Sequence, residues 1–572
     1  MFPTQVPSER FVSRSAGWQR SVQQGDQRVE FALPRSAASN NDCAPTFDHT
    51  DWQPYLQPGL IGLDGLRSTA RFILVRNAQG KRGAVYEDTP NARAKVAQLH
   101  AAHPVALGRI FVAPRSRLQA LWAQAMAGRL TAYAQNHLNR TQPSMSARET
   151  LKIWQKGICL LLVIGACFWS VLAPHSLFLQ LNILFAFLYM SIGAARFYAV
   201  FSPPVDEENQ LLPKTRAADD LLPLYSIMIP LYDEAAVIPQ LVASLKALDY
   251  PADKLDILIL LEGDDVSSQN ALAQQGLPDH MAVIVVPPSK PRTKPKALMF
   301  ALPLTRGTFV TVYDAEDRPE PDQLRKAVAA FATGNFKHRD ALGCVQASLN
   351  ITNGQSSFLT RHFALEYMAL FDAFLPALTK LGLPIPLGGT SNHFRRDALV
   401  RSGGWDPYNV TEDADLGIRL ARLGYATKMI ASTTYENAPT QFRPWIKQRS
   451  RWFKGWWQTW LVHMRAPLRL LNDLGLVGFF AFQIIMLGVL VSVLIHPVFL
   501  LVALGVLSGL IGPLYGSAPA SEQVFMTLNL TNLTLGYLAA VALAMVGAER
   551  RNTRVGLGCP GSGPMRQFRL NG

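Results

Sequence analysis

The nine residues Phe309–Asp317, FVTVYDAED, decide how the middle of this chain folds. Five apolar or β-branched residues run straight into four residues of which three are acids. A continuous apolar run of that length fits a strand buried on both faces. Ligands of parallel α/β sheets bind beyond the carboxyl ends of the strands, which is where the acids then stand. The same pattern recurs upstream. Tyr225–Pro230 (YSIMIP), Leu255–Leu261 (LDILILL) and Ala282–Val286 (AVIVV) read as strands, and Asp264–Asp265 follows the second of them. Pro239–Leu248 and Pro295–Leu302 lie between strands and read as helices. Strand–helix alternation predicts a parallel, Rossmann-like α/β sheet with right-handed crossovers. No GxGxxG or GxxxxGK[ST] string is present, which disfavours a dinucleotide enzyme or a P-loop ATPase.

Outward from this domain the composition changes. Ile158–Leu172 and Leu177–Phe201 precede it, and Leu474–Ile495, Pro497–Leu514 and Val524–Gly547 follow it, as apolar runs approaching the length of a bilayer span. Lys and Arg flank the first two runs on the outer sides but are missing from the turn at Pro174. This places the N-terminus and the region after Phe201 in the cytoplasm. If all five runs cross, Arg550 and Arg551 end up outside, against that same tendency. One run therefore does not cross, or a helix has been lost. The tail after Arg551 is polar and Gly-rich and reads as a truncation or a shifted frame.

The whole-chain numbers agree with a membrane protein. The 572 residues hold 55 Lys+Arg and 41 Asp+Glu, a surplus of 14, yet only 17% are charged, against about 25% in soluble chains. The basic residues are scattered and gather beside apolar runs, which argues against nucleic-acid binding. Five cysteines without CxxC spacing (Cys43, Cys159, Cys167, Cys344, Cys559) exclude a disulfide framework or zinc site. Residues 1–50 read as disordered and 51–150 as a small α+β domain, structural or regulatory, with strands at Ala70–Arg76 and Leu107–Val112 and helices at Asn91–Ala102 and Pro114–Ala127. Two membrane helices fill 151–202, the α/β domain 222–465, further membrane helices 472–548, and a polar tail 549–572.

Three strings carry candidate chemistry. The carboxylates of Asp314, Glu316 and Asp317 make a hard-oxygen site suited to Mg²⁺ or Mn²⁺, which would bridge a diphosphate leaving group. Thr411-Glu412-Asp413 precedes a helical run. Thr411 is placed to cap it, and Asp413 is a candidate general base toward an acceptor hydroxyl. In Gln448-Arg449-Ser450-Arg451-Trp452 the spacing puts Gln448, Arg451 and Trp452 on one helical face. There Arg451 suits a diphosphate and Trp452 a sugar ring, on a helix that also reads as interfacial.

In this order, DD, DAED, TED and QRSRW, together with LGGTSNHFRR at Leu387–Arg396, the chain resembles processive family 2 glycosyltransferases such as cellulose, hyaluronan and poly-N-acetylglucosamine synthases. The resemblance implies a cytoplasmic GT-A domain in an inner-membrane, multi-pass enzyme. Its donor would be a UDP-sugar and its acceptor a growing polysaccharide, with inversion at the anomeric carbon. It implies Asp264, Asp265, Lys296, Asp314, Gln448 and Arg451 at the donor, Trp452 and Glu412 at the acceptor, Asp413 as base, and Mg²⁺ or Mn²⁺ at Asp314 with Glu316 or Asp317. Lys294 lies in the same basic stretch as Lys296. The N-terminal zone weakly resembles the N-terminal domain of type II secretion ATPases, which implies cyclic di-GMP as a candidate ligand there. Two other readings stand beside this one: a single-addition transferase to a lipid carrier, and a cyclic di-GMP receptor with a degenerate transferase domain.

Overall fold

In the computed structural model, residues 52–54, 72–77, 79, 81–102, 110–204, 219–333, 341–507 and 520–551 are described. The N-terminal stretch expected to be disordered, and most of the C-terminal tail, lie outside them.

The central domain is built on an eight-stranded mixed sheet. Its strands follow β1 (Trp52–Pro54), β2 (Phe72–Asn77), β3 (Arg82–Glu87) and β4 (Ile110–Ala113) of the N-terminal unit. They are β5 (Tyr225–Leu231), β6 (Leu255–Glu262), β7 (Met281–Val286), β8 (Phe309–Val312), β9 (Arg318–Pro319), β10 (Leu342–Ile351), β11 (Asn392–Arg395) and β12 (Ala426–Glu436), in the spatial order β7-β6-β5-β8-β11-β10-β12-β9. β7, β6, β5 and β8 pair in parallel, as their apolar runs predict. β11 is antiparallel to both β8 and β10, and β9 to β12, so the sheet is mixed rather than parallel throughout. The arrangement is an α/β fold around one mixed sheet.

The central strands bury both faces, and their period of two assigns residues to two cores. Ile257, Ile259 and Leu261 of β6 join Ile227 and Ile229 of β5 in one core. Leu258 and Leu260 point the other way, toward Leu298, Phe300 and Leu302. The helices expected between strands form at Ile238–Lys246 and Lys294–Ala301, and Val266–Ala273 adds a third.

The N-terminal unit has the expected strands and helices within a few residues, at β2, β4, Pro90–Ala102 and Arg115–Ala125, plus two strands (β1, β3) and the helix Ala127–Thr141 that sequence reading missed. It is not a free-standing module. Leu118, Leu121 and Trp122 are buried in the same core as Ala282, Ile284 and Val286 of β7. Gln119 donates to Asp256 Oδ1 (2.7 Å) and to Leu304 O (3.1 Å), a buried polar tie between the two units.

Among the described residues, four helices are long and apolar enough to cross a membrane: Ile153–Leu172, Pro174–Phe201, Pro467–Leu501 and Thr527–Arg550. The runs split at His496–Pro497 belong to one helix. Pro497 sits inside it, where proline removes one backbone hydrogen bond without ending the segment. The end of the last of these helices is fastened to the α/β domain. Arg550 donates to Asp372 O (2.8 Å), and Arg551 pairs with the Asp372 carboxylate. Along the bundle, Asn529 donates to Asn182 (3.0 Å) and His496 meets the Tyr537 hydroxyl (2.7 Å). Cys159, Cys167 and Cys344 are free thiols.

Candidate active site

The site forms where β5, β6 and β8 end. After β5 the chain turns through Asp233, whose φ of 58° lies in the left-handed region. Asp265 holds this turn. Its carboxylate accepts from Asp233 N (2.7 Å) and from Ser268 N (3.1 Å), capping the helix Val266–Ala273. Burial works against ionisation of Asp265, but hydrogen bonds from Ser268, Asp233 and Ser267 outweigh it and keep its pKa low. Asp264 instead faces outward and pairs with Arg292 at 2.5 Å. The Arg292 guanidinium lies over the Tyr232 ring, 5.6 Å from its centre. Tyr232, Asp264 and Arg292 thus form one exposed, flat-walled corner.

After β8 the acids divide. Glu316 is exposed and Asp314 partly so. Asp317 turns inward and is 1% exposed. Its Oδ2 accepts from Asp314 N (2.6 Å) and from the Thr390 hydroxyl, bracing the turn against the Gly388–Ser391 loop. Its Oδ1 is buried without a hydrogen-bond partner. Burial and Asp314 push Asp317 up to about 8.

Lysine behaves in the same divided way. Lys296 is fully buried and pairs with Glu262 at 2.8 Å. This corrects the expectation that it meets the donor, since its ammonium is closed off behind β6. The cation among the acids is Lys294, two residues earlier at the first turn of the same helix. Its Nζ sits 2.6 Å from Asp314 Oδ1 and donates to Gly389 O (2.8 Å). Burial would lower the Lys294 pKa, but Asp314, Asp413 and Glu412 around it raise it above the ordinary lysine value.

Opposite stands the helix Glu412–Arg422. Thr411 occupies its N-cap position but makes no capping bond, against expectation. Its hydroxyl packs instead against Gly455. Asp413 reaches the cleft near Gly389, where a Cβ would lie 3.7 Å from Asp413 Oδ2. Burial, then Glu412 and Asp314, hold the Asp413 pKa well above the usual carboxylate range, with Lys294 opposing. Burial likewise raises Glu412, and Lys294 and Arg451 oppose it. Arg451 therefore acts on Glu412, and the helix Phe442–His463, packed on Thr411 through Gly455, flanks the site.

On that helix the neighbouring residues diverge. Arg451 is exposed, and Gln448 leaves its buried Oε1 unpaired. Trp452 is partly buried beside Phe363, and the Arg449 guanidinium lies 4.6 Å from the centre of its ring. Arg449 also pairs with Glu366 at 2.5 Å. The indole is thus part of a packed Arg–aromatic stack.

Sequence reasoning missed Glu234, which Asp314, Asp233 and Asp265 surround. Burial and these like charges raise its pKa. Its signal was present, as Asp-Glu directly after the β5 run. Among the described residues no three His, Cys, Asp or Glu side chains converge as a ready metal cage. The donor set is nevertheless hard oxygen, with an orphaned Asp317 Oδ1 behind it and two outward acids on one turn. That suits a small divalent ion which takes its remaining ligands from phosphate and water.

Two family models match the central domain. Residues 226–340 match the model described as glycosyl transferase family 2, and residues 309–538 match glycosyl transferase family group 2. A probable glycosyltransferase, YdaM, of Bacillus subtilis is 28% identical over 285 residues, 49% of this chain and 65% of that protein. The beta-monoglucosyldiacylglycerol synthase of Trichormus variabilis is 30% identical over 251 residues, 43% of this chain and 52% of that protein. The chain thus spans between half and two thirds of these relatives' lengths. Among solved structures, the mannosyltransferase PcManGT from Pyrobaculum calidifontis, in complex with GDP-Man and Mn²⁺, aligns at a TM-score of 0.35 and 18% identity, over 62% of this chain and 99% of that one. Between them, the two family models place family 2 glycosyltransferase domains over residues 226–538 of this chain.

Proposed function

We propose that the chain transfers a hexose from a nucleotide-diphosphate sugar, UDP-linked, to a hydroxyl of a growing glycan at the inner face of the cytoplasmic membrane, with inversion at the anomeric carbon. The observation that carries this reading is the convergence of two sequence-distant strings on one ammonium, with Asp314 2.6 Å from Lys294 and the third string's Arg451 set against Glu412. Asp314, Glu412 and Asp413 all act on Lys294, and Arg451 acts on Glu412. One side thus gathers groups for a diphosphate and the other a raised carboxylate for an acceptor proton.

In this reading the Tyr232, Asp264 and Arg292 corner takes the base of the nucleotide. Lys294 and Arg451 take the diphosphate oxygens. Asp413 accepts the proton of the acceptor hydroxyl as its oxygen bonds to the anomeric carbon, and the nucleoside diphosphate leaves with the electron pair of the breaking bond. Mg²⁺ or Mn²⁺, held by Asp314 and Glu316, would supply neutralisation of the leaving diphosphate. Asp317 keeps the turn that carries these acids in place. The four long apolar helices suit a chain anchored in a bilayer with its catalytic domain on the cytoplasmic side, where the docked Arg550 and Arg551 also lie.

A second reading has its own support. The Trichormus relative is named for making a glucosylated diacylglycerol, and the packed state of Trp452 leaves that indole less free to bind successive sugars. On this reading the acceptor is a lipid and one sugar is added. Product length separates the two, with a ladder of oligomers from the purified protein for the first and a single lipid-borne sugar for the second. A chelator such as EDTA should abolish either activity, and full turnover in excess chelator would contradict the metal role.

A further inference from the structure

Arg451, Gly455, Thr459 and His463 recur every four residues and so form one ridge along the helix Phe442–His463. Each meets a different residue of the segment Asn409–Asp415. Arg451 acts on Glu412. Gly455 lies so close to Thr411 that a Cβ there would stand 2.8 Å from Thr411 Cβ and nearer still to its hydroxyl. Thr459 Oγ1 accepts from Asn409 Nδ2 at 2.9 Å, both residues being buried. His463 Nε2 lies 3.2 Å from Asp415 Oδ1. The ridge therefore seats the strip that carries Asp413 directly against the helix that carries Arg451.

The lower end of the ridge is locked by charge. Asp415 Oδ2 accepts from Arg419 Nε at 2.7 Å, with both side chains fully buried. Arg422 Nη1 lies 2.9 Å from His463 Nδ1, and Arg422 also pairs with Asp473 at 2.7 Å. A guanidinium can only donate, so Nδ1 must be the acceptor. The ring proton is then on Nε2, which donates to Asp415. One neutral tautomer satisfies both neighbours, and the chain Asp415–His463–Arg422–Asp473 ties the base-bearing helix, the Arg451 helix and the start of the next helix into one unit.

Resting on the function proposed above, we propose that this ridge is the positioning device of the reaction. Gly455, Thr459 and His463 set how far the acceptor-side Asp413 stands from the donor-side Arg451, and His463 with Asp415 are positioning residues that touch neither substrate.

The test uses the full-length protein in detergent or nanodiscs with whichever nucleotide sugar the wild type turns over. Three variants are compared for kcat per folded molecule, UDP affinity by calorimetry and thermal midpoint. His463→Leu removes both hydrogen bonds. Gly455→Ala drives a methyl against Thr411 and so tests the ridge at a second place should the leucine variant fold poorly. His463→Gln offers an amide oxygen to Arg422 and an amide N–H to Asp415. The expected result is a kcat loss on the order of 10- to 100-fold in His463→Leu and Gly455→Ala, the scale of a misplaced reacting group. UDP affinity should be unchanged in both, and most of kcat should return in His463→Gln. Wild-type kcat in folded Gly455→Ala and His463→Leu overturns the proposal. So does a loss of UDP affinity in step with kcat, or a glutamine variant no better than leucine. A wild type that binds UDP but transfers no sugar contradicts the proposed function itself, and the positioning role falls with it.

Discussion

The decisive residues differ in how far their surroundings shift them. Asp413 is the plainest case, since burial and Glu412 hold its carboxyl above the usual range. A base must be ionised to accept a proton, so activity falls as pH drops through the raised pKa. The acid limb of kcat should therefore lie above the ordinary aspartate value of about 4, as a kcat–pH profile will register. Asp413→Asn should reduce kcat by about 10²-fold or more while UDP affinity stays the same. Lys294 opposes the rise at Asp413, so Lys294→Met should move that limb to higher pH. It should also weaken donor binding, by roughly 10- to 100-fold for a lost charge-assisted contact of about 1.5–3 kcal/mol. Titration calorimetry with UDP and the same pH profile check both effects. A limb that stays in place would mean that Lys294 does not reach Asp413.

At the scale of elements, the first turn of the helix Lys294–Ala301 shows how two like residues part company. Lys294 faces the acids, whereas Lys296 is enclosed with Glu262. Lys296→Met strands a buried carboxylate, a loss of about 3–5 kcal/mol for a broken buried pair. It should lower the thermal midpoint strongly while the folded fraction keeps its UDP affinity. Weakened UDP binding with normal stability would return Lys296 to the donor site. Here lies the limit of reading the sequence. The strands β5 to β8 and the acids at their ends were legible because apolar runs and strand-end acids are local patterns. Which of two lysines two residues apart points into the cleft depends on how the helix is rotated against β6, and no local pattern records that. The same holds for Asp317. Its neighbours suggested a metal ligand, but its place behind the turn is set by Thr390, a residue distant in the sequence. Thr411 was expected as a cap, yet its hydroxyl is directed to Asn409 Oδ1 at 3.4 Å.

Across the whole molecule, the sequence showed where the apolar runs were but not which of them share a helix. His496–Pro497 looked like a break because proline usually ends helices in water. Within a long apolar segment the surrounding helices tolerate it. An even count of spans would put the catalytic domain and the end of the last helix on one side of the membrane. A membrane-impermeant thiol reagent applied to intact cells should label His175→Cys, in the turn between the first two spans, and spare Glu549→Cys until the membrane is opened. The native cysteines Cys43, Cys159, Cys167 and Cys559 are removed in the background, and Cys344 is buried. Labelling of Glu549→Cys in intact cells would mean an odd number of crossings.

The central claim is that one cleft, framed by the DAED turn, the TED helix and the QRSRW helix, moves a sugar from a nucleotide diphosphate to an acceptor hydroxyl. The most direct measurement follows nucleoside diphosphate release and sugar-bearing product together, for a panel of UDP- and GDP-sugars, with wild-type and Asp413→Asn protein in nanodiscs. The account predicts that the wild type turns over one UDP-sugar, releasing UDP and product in equal amounts, and that Asp413→Asn binds UDP as well but makes product about 10²-fold more slowly or worse. Equal product from the two proteins, or no release from any donor by a wild type that is folded and metal-loaded, would contradict it.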